Sequence, residues 1–171
     1  MTDAARTEPW LRGTLTELPA VHRAVLHALQ LAEEDLERWC VELSEEQFNA
    51  RPRGTAPVAF HIRHIARSVD RLLTYAEGRQ LSEEQVAALE TEVAPDAVPA
   101  EVFKELRDAL EQAGTRVCAF TAAHLEVPRS VGRQSLPTTL GGILVHVAEH
   151  TQRHVGQAIT TAKIVLAARS A

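Results

Sequence analysis

Aromatic residues, cysteine and methionine are scarce in this chain of 171 residues. Only 4% of the residues are aromatic, two are cysteine and one is methionine. Two cysteines are too few for the disulfide framework of a small secreted protein. Both Cys40 and Cys118 fall within amphipathic helical patterns, which predicts that they are buried free thiols. The small number of aromatic residues indicates a core packed with alanine, leucine and valine.

Long apolar runs and clusters of positive charge are also missing. The longest apolar stretches, such as IVLAA at 164–168, are far shorter than the roughly 20 residues that cross a membrane. The N-terminal MTDAARTEPW has neither the apolar segment nor the cleavage site of a signal peptide. The net charge is −5, whereas DNA and anionic membranes are bound through basic surfaces. We therefore expect a cytoplasmic protein with no nucleic-acid or membrane partner.

The apolar residues that are present recur at helical spacing over four long segments. The predicted helices run from Pro19 to about Val41, from Pro57 to about Ala76, from about Ala100 to Ala122, and from Thr138 or Thr139 to about Ala168. The stripe of the first helix has spacings of three and four and consists of Leu18, Val21, Val25, Leu29, Ala32, Leu36 and Trp39. Four amphipathic helices in a chain of this length predict one all-α domain, a four-helix bundle over 1–171 with a core of about 15–168.

The segments between these helices carry their own signals. The pentapeptide LSEEQ occurs at 43–47 and at 81–85, and its serine and glutamine form a capping-box pattern that predicts the start of a short connecting helix. The segment from His124 to Pro137 contains two further breakers, Pro128 and Gly132, and is predicted to be a long surface loop. No alternating pattern typical of a strand is evident.

Histidines spaced by four residues are the most distinctive pattern in the sequence. His146, His150 and His154 lie within nine residues, and residues four apart stack on one helix face about 5–6 Å from each other. Two imidazoles in that arrangement can share a metal ion at about 2.0–2.1 Å. His150 and His154 fall inside the apolar stripe of the last helix, and His146 lies near its edge. Burial of unpaired polar rings costs free energy, so this pattern favours a metal site over two isolated core histidines.

Two further histidines, His61 and His64, lie near the start of the second predicted helix. His61 borders the apolar stripe of that helix, and His64 lies further round. Periodicity slightly favours His61 as the inward residue but does not decide between the two, and either one could instead be solvated or lie at an interface.

Two other metal motifs are possible in a helical protein with these histidines. The segment from His146 to His150 matches the inverted zinc-protease pattern H-x-x-E-H, with Glu149 as the general base. No third-ligand motif accompanies it, which argues against a protease. A di-iron bundle requires Glu-x-x-His pairs on two helices, and the sequence contains no such pair.

Two segments carry a resemblance to a known family. LVHVAEHTQRHVGQAI at 144–159 has two histidines four apart followed by a Gly-Gln pair, and FHIRHIARSVDRLLTYAEG at 60–78 has a histidine followed at fixed spacing by a small residue and a serine. The chain resembles the DinB/YfiT-like family over essentially its whole length. This resemblance implies an up-down-down-up bundle, a homodimer, and a divalent metal, zinc or nickel, held by His64, His150 and His154.

The resemblance also implies a function. Some members of the family are transferases or isomerases that use low-molecular-weight thiols, and members that isomerise maleylpyruvate have glutamate in place of one histidine. Position 150 is histidine in this chain, so that activity is not implied. We expect a metal-dependent enzyme with a small-molecule substrate, either a thiol-dependent S-transferase acting on electrophiles or a hydrolase. The alternative is a non-catalytic metal-binding or stress-associated dimer.

Three further residues, Gln157, Tyr75 and Arg71, lie near the predicted ligands. Gln157, one turn beyond His154, could orient a ligand but is expected to make a buried polar contact instead. Tyr75 and Arg71 could line the opening of the site but are expected on the exposed helix surface.

Overall fold

Four long helices form the body of the structure, a computed structural model that describes residues 7–168. They are α1 (Ala20–Cys40), α3 (Val58–Ala76), α5 (Pro99–Ala119) and α6 (Leu140–Ala167), with the short helices α2 (Glu45–Asn49) and α4 (Glu83–Thr91) in the connections. The predicted helix positions are confirmed to within about three residues at each end. The predicted domain limits, residues 1 and 171, and most of the N-terminal segment that was compared with a signal peptide lie outside the described residues.

The helix starts follow the capping signals of the sequence. Ser44 Oγ accepts a hydrogen bond from the Gln47 amide at 3.3 Å, and Gln47 Oε1 accepts one from the Ser44 amide at 2.9 Å. Ser82 and Gln85 repeat this arrangement at the start of α4. The cap of α6 is Thr139, whose Oγ1 accepts from the Gly142 amide at 3.0 Å, which decides the choice that the sequence left open. Each cap satisfies amide groups that have no partner inside the helix.

Contacts between α1 and α6 show that these two helices run in the same direction. Gln152 Nε2 on α6 donates to the Ala28 carbonyl on α1 at 2.8 Å. Further along both helices, Lys163 Nζ lies 4.1 Å from the centre of the Trp39 ring. Residue numbers therefore increase together along the two helices.

The second pair, α3 and α5, is also parallel. Arg67 Nε donates to Glu105 at 2.6 Å, and one turn later Arg116 Nη1 donates to Asp70 at 2.7 Å. By contrast α3 is antiparallel to α6, because the contacts between them link increasing numbers on α3 with decreasing numbers on α6. The bundle thus has the up-down-down-up order that the resemblance implied.

The core consists of aliphatic side chains from all four long helices. Leu36, Ile62, Leu106 and Leu144 have no exposed surface. Phe48 of α2 is equally buried, so this short connecting helix also contributes to the core.

Two expectations about the core are wrong. Trp39 was placed in the stripe of α1 but is 37% exposed, because the ring lies on the surface under Lys163 and Cys40 occupies the buried position beside it. Burial raises the pKa of the Cys40 thiol to about 12, which makes it an inert core residue. Cys118 was also expected to be buried, but it is exposed near the end of α5.

The segment from His124 to Pro137 is not the long loop that the sequence predicted. Pro128–Val131 (β1) pairs with Leu136–Thr139 (β2) in an antiparallel hairpin. Each strand has only four residues and one proline, which hides the alternation that identifies a strand. Arg129 Nε donates to the Ala76 carbonyl at 2.6 Å, and this contact fastens the hairpin to the end of α3.

Within residues 7–168, none of the helices combines the length and the apolar character needed to cross a membrane.

A substitution in the core tests the packing of the bundle. Leu36→Ala removes a side chain with no exposed surface and should lower the free energy of unfolding by about 2–5 kcal/mol. Leu89→Ala makes the same change at a position that is 43% exposed and should change it by at most about 0.5 kcal/mol. Urea unfolding of both variants measures the difference, and equal effects would contradict the packing described here.

Candidate metal centre

Three imidazoles converge where α3 packs against α6. One ring nitrogen from each of His64, His150 and His154 lies within 4.8 Å of the other two. The closest approach is between His64 Nε2 and His150 Nε2, at 2.8 Å. The ring centres of His64 and His154 are 4.4 Å apart, and those of His150 and His154 are 4.6 Å apart. These are the three residues to which the family resemblance assigned the metal.

His61 is close to this group but does not belong to it. Its Nδ1 lies 3.1 Å from Nδ1 of His154, and the residue is buried, with 6% exposure. Periodicity was therefore correct that His61 faces inward, but the second-helix residue that forms a three-nitrogen group with His150 and His154 is His64. A hydrogen bond between the two Nδ1 atoms leaves Nε2 of His154 as its remaining ring nitrogen.

His146 lies beside the cluster rather than in it. Its ring centre is 5.4 Å from that of His150, and its side chain is 44% exposed. The nearest carboxylate oxygen belongs to Glu149, at 3.8 Å from His146 Nδ1, on a side chain that is 62% exposed. Neither His146 nor Glu149 belongs to the three-nitrogen group. The histidine cluster therefore does not have the ligand arrangement of the inverted zinc-protease pattern.

A carboxylate that the sequence gave no reason to select fixes the orientation of His64. Glu92, at the end of α4, accepts a hydrogen bond from His64 Nδ1 at 2.7 Å and another from Arg71 Nη1 at 2.7 Å. The contact to Nδ1 leaves Nε2 of His64 directed toward His150. Glu92 follows His64 by 28 residues, and only the packing of α4 over α3 brings them together.

Arg71 and Tyr75 are buried, not exposed as the sequence suggested. Their exposures are 8% and 9%. The Arg71 guanidinium is held inside by its ion pair with Glu92, because a buried carboxylate and a buried cation each need a partner. Gln157 differs from expectation in the opposite direction, since it is exposed rather than in a buried polar contact.

Burial keeps the imidazoles of His61, His150 and His154 neutral. Loss of solvent, reinforced by neighbouring positive charge from His64 and other groups, lowers the pKa of His150 to about 4 and that of His154 to about 3. Burial and His64 also lower the pKa of His61 to about 4. The neutral ring is the form that binds a metal, so at neutral pH these nitrogens need not lose a proton first.

The carboxylate of Glu92 stays ionised for a different reason. Burial acts to raise its pKa, but the hydrogen bonds and charges of His64 and Arg71 outweigh burial, and the net pKa is lowered. Glu92 therefore acts as an acceptor for His64 near neutral pH. This carboxylate–histidine pairing is the arrangement that commonly orients a metal-binding imidazole.

The lowered histidine pKa values predict a pH-dependent stability of the metal-free protein. Below the usual pKa of 6.5 the unfolded chain takes up protons that the folded cluster binds only near pH 3–4. The free energy of unfolding should therefore fall as the pH is lowered from about 6.5 to about 4. Urea unfolding with a chelator present measures this slope. His154→Gln should make it shallower, and His124→Gln, at an exposed turn before the hairpin, should not; an unchanged slope in His154→Gln would contradict the assignment.

Comparison with known proteins agrees with this fold. The sequence model of the DinB superfamily matches residues 28–158. YfiT from Bacillus subtilis, described as a probable metal-dependent hydrolase with an unusual four-helix bundle topology, superimposes with a TM-score of 0.64 and 15% sequence identity, covering 85% of this chain and 87% of YfiT. At this identity the likeness bears on the fold alone. The comparison with curated proteins finds no match. Because the superfamily model spans most of the chain, including all three residues of the histidine cluster, this protein belongs to the DinB superfamily.

Proposed function

We propose that this protein is a metal-dependent enzyme in which His64, His150 and His154 bind one divalent ion. The observation that carries the proposal is the convergence of three ring nitrogens within 4.8 Å. Two nitrogens that share an ion at about 2.0–2.1 Å can be at most about 4.2 Å apart, so the cluster is close to the spacing that a shared ion requires. Imidazole nitrogen is also a suitable ligand for zinc and for nickel.

Three protein ligands leave at least one coordination position open, as in catalytic rather than structural metal sites. A bound ion would lower the pKa of a water or thiol and so supply a nucleophile near neutral pH. The protein's own residues hold the histidines in place: Glu92 accepts the Nδ1 proton of His64, and His61 contacts Nδ1 of His154. Phe60 stacks against the His64 ring, with 5.4 Å between ring centres.

The reaction that this site supports best is attack of an activated water or thiol on a small electrophile. Hydrolysis agrees with the description of YfiT, and a low-molecular-weight thiol as co-substrate agrees with the family resemblance of the sequence. Zinc and nickel are the proposed metals. The cytoplasmic location and the homodimer expected from the sequence belong to the same proposal.

A second candidate function is metal binding without turnover. The same geometry supports it, because three histidines hold an ion whether or not a substrate reaches it. The two functions differ in one measurement, since only an enzyme hydrolyses esters or amides, or conjugates thiols to electrophiles, faster than the metal-free protein. Activity that disappears with a chelator and returns with zinc or nickel would favour the enzyme.

Removal of each ligand tests the metal site. Protein purified without a polyhistidine tag should contain about one divalent ion per chain by elemental analysis. His64→Ala, His150→Ala and His154→Ala should each lose most of that metal. His146→Ala changes a histidine whose ring lies outside the three-nitrogen group and should retain it. Full occupancy in all three ligand variants would refute the proposed site.

Removal of the hydrogen-bond acceptor of His64 tests the role of Glu92. Glu92→Gln keeps the size of the side chain but weakens the acceptor for His64 Nδ1, and it should lower metal affinity about 10–100-fold. Chelator competition measures this change. Glu105→Gln is the matched control, because Glu105 pairs with Arg67 and lies outside the histidine cluster. Equal affinities in the two variants would assign Glu92 a purely structural role.

A further inference from the structure

A cleft of about 650 Å³ adjoins the histidine cluster, between the start of α3 and the C-terminal half of α6. Its lining includes His61, which contacts His154, and Arg153, Gly156, Gln157 and Ile164. Clefts of this size hold small organic molecules. A molecule bound in this cleft would contact His61, and His61 in turn contacts the proposed ligand His154.

Arg153 brings a positive charge to this cleft. It directly precedes His154 in the sequence and lines the cleft together with His61, whose Nδ1 lies 3.1 Å from Nδ1 of His154. Within residues 7–168, no carboxylate lies within ion-pair distance of it. This differs from Arg67, Arg71 and Arg116, each of which is paired with a carboxylate on another element.

The rest of the lining contains no negative charge. Apart from Arg153, the residues that line the cleft are uncharged, and one wall includes the apolar side chain of Ile164. The Gln157 amide lies one turn beyond Arg153 and can donate a hydrogen bond. A single guanidinium beside a neutral wall matches a molecule with one carboxylate and an apolar body, because the planar fork of arginine binds a carboxylate through two parallel hydrogen bonds.

We propose that Arg153 binds the carboxylate of a small organic acid in this cleft and so presents its other end to the metal held by His64, His150 and His154. This inference rests on the proposed function and adds to it the chemical class of the substrate. Arg153 is then a specificity-determining residue that touches the substrate at a distance from the reacting atoms.

Cobalt-loaded protein and a pair of thiol probes test this assignment. 3-Mercaptopropionate and 3-mercaptopropionamide carry the same thiol but differ in charge at the other end. Each thiolate that binds cobalt produces an absorption band in the near ultraviolet, which gives its dissociation constant. The acid should bind about 10- to 100-fold more tightly than the amide, the range expected for a charged hydrogen-bonded pair.

Two variants assign that preference to Arg153. Arg153→Gln should abolish it, and Arg153→Lys should retain part of it because the charge remains. Arg133→Gln, at an exposed position in the turn of the hairpin, removes the same charge elsewhere and should leave the preference unchanged. The inference would be overturned if the preference survived in Arg153→Gln, or if acid and amide bound equally to the unaltered protein. In either case a cobalt–thiolate band would still show that the metal site is present.

The cleft itself can be tested without a change of charge. A Cβ atom built on Gly156 meets no neighbouring atom within 4 Å, so Gly156→Leu should be accommodated and should fill part of the cleft. It should weaken the binding of both probes, and unchanged binding would overturn the placement of the substrate. Failure of the unaltered protein to take up cobalt would instead refute the proposed function, and with it this inference.

Discussion

Antiparallel packing of α3 against α6 places His64 opposite His150 and His61 opposite His154. Each contact joins residues that are about 90 positions apart in the chain, so no local structure can produce it. If α6 ran parallel to α3, the order of the pairs along the two helices would be reversed and the cluster would not form. The up-down-down-up order of the bundle is therefore a requirement of the site as well as a description of the fold.

The cluster is held in a state that suits a cation. Partial burial disfavours the charged form of His150 and His154, and the pKa values are lowered to about 4 and about 3. Buried imidazoles without partners cost free energy, and the structure offsets that cost with few groups, chiefly Glu92 for His64 and His61 for His154. The ring nitrogens of His64, His150 and His154 that face one another between α3 and α6 are the atoms that a cation would contact.

Two arginines near the cluster, Arg71 and Arg153, differ in burial and in ion pairing. Arg71 is buried and neutralised by Glu92, so it serves the orientation of His64 and adds no unpaired charge. Arg153 is exposed, beside the cleft. The Arg71–Glu92 ion pair stabilises the orientation of His64. Arg153 leaves a cation on the side of the cluster from which a small molecule would approach. This contrast is why the proposed substrate is an anion.

The sequence by itself determined the four long helices, the serine caps of the two short helices and the four-residue spacing of the histidines, because helical periodicity and capping depend on residues within a few positions of one another. It placed His150 and His154 on one inward face for the same reason. Periodicity left His61 and His64 open, and the family resemblance selected His64. Only the tertiary structure brought His64 to His150 and His154, placed Glu92 beside His64, buried Arg71 and Tyr75, and paired Pro128–Val131 with Leu136–Thr139. Each of these contacts depends on how one helix or strand packs against another, and the spacing of residues along a single helix or strand does not determine that packing.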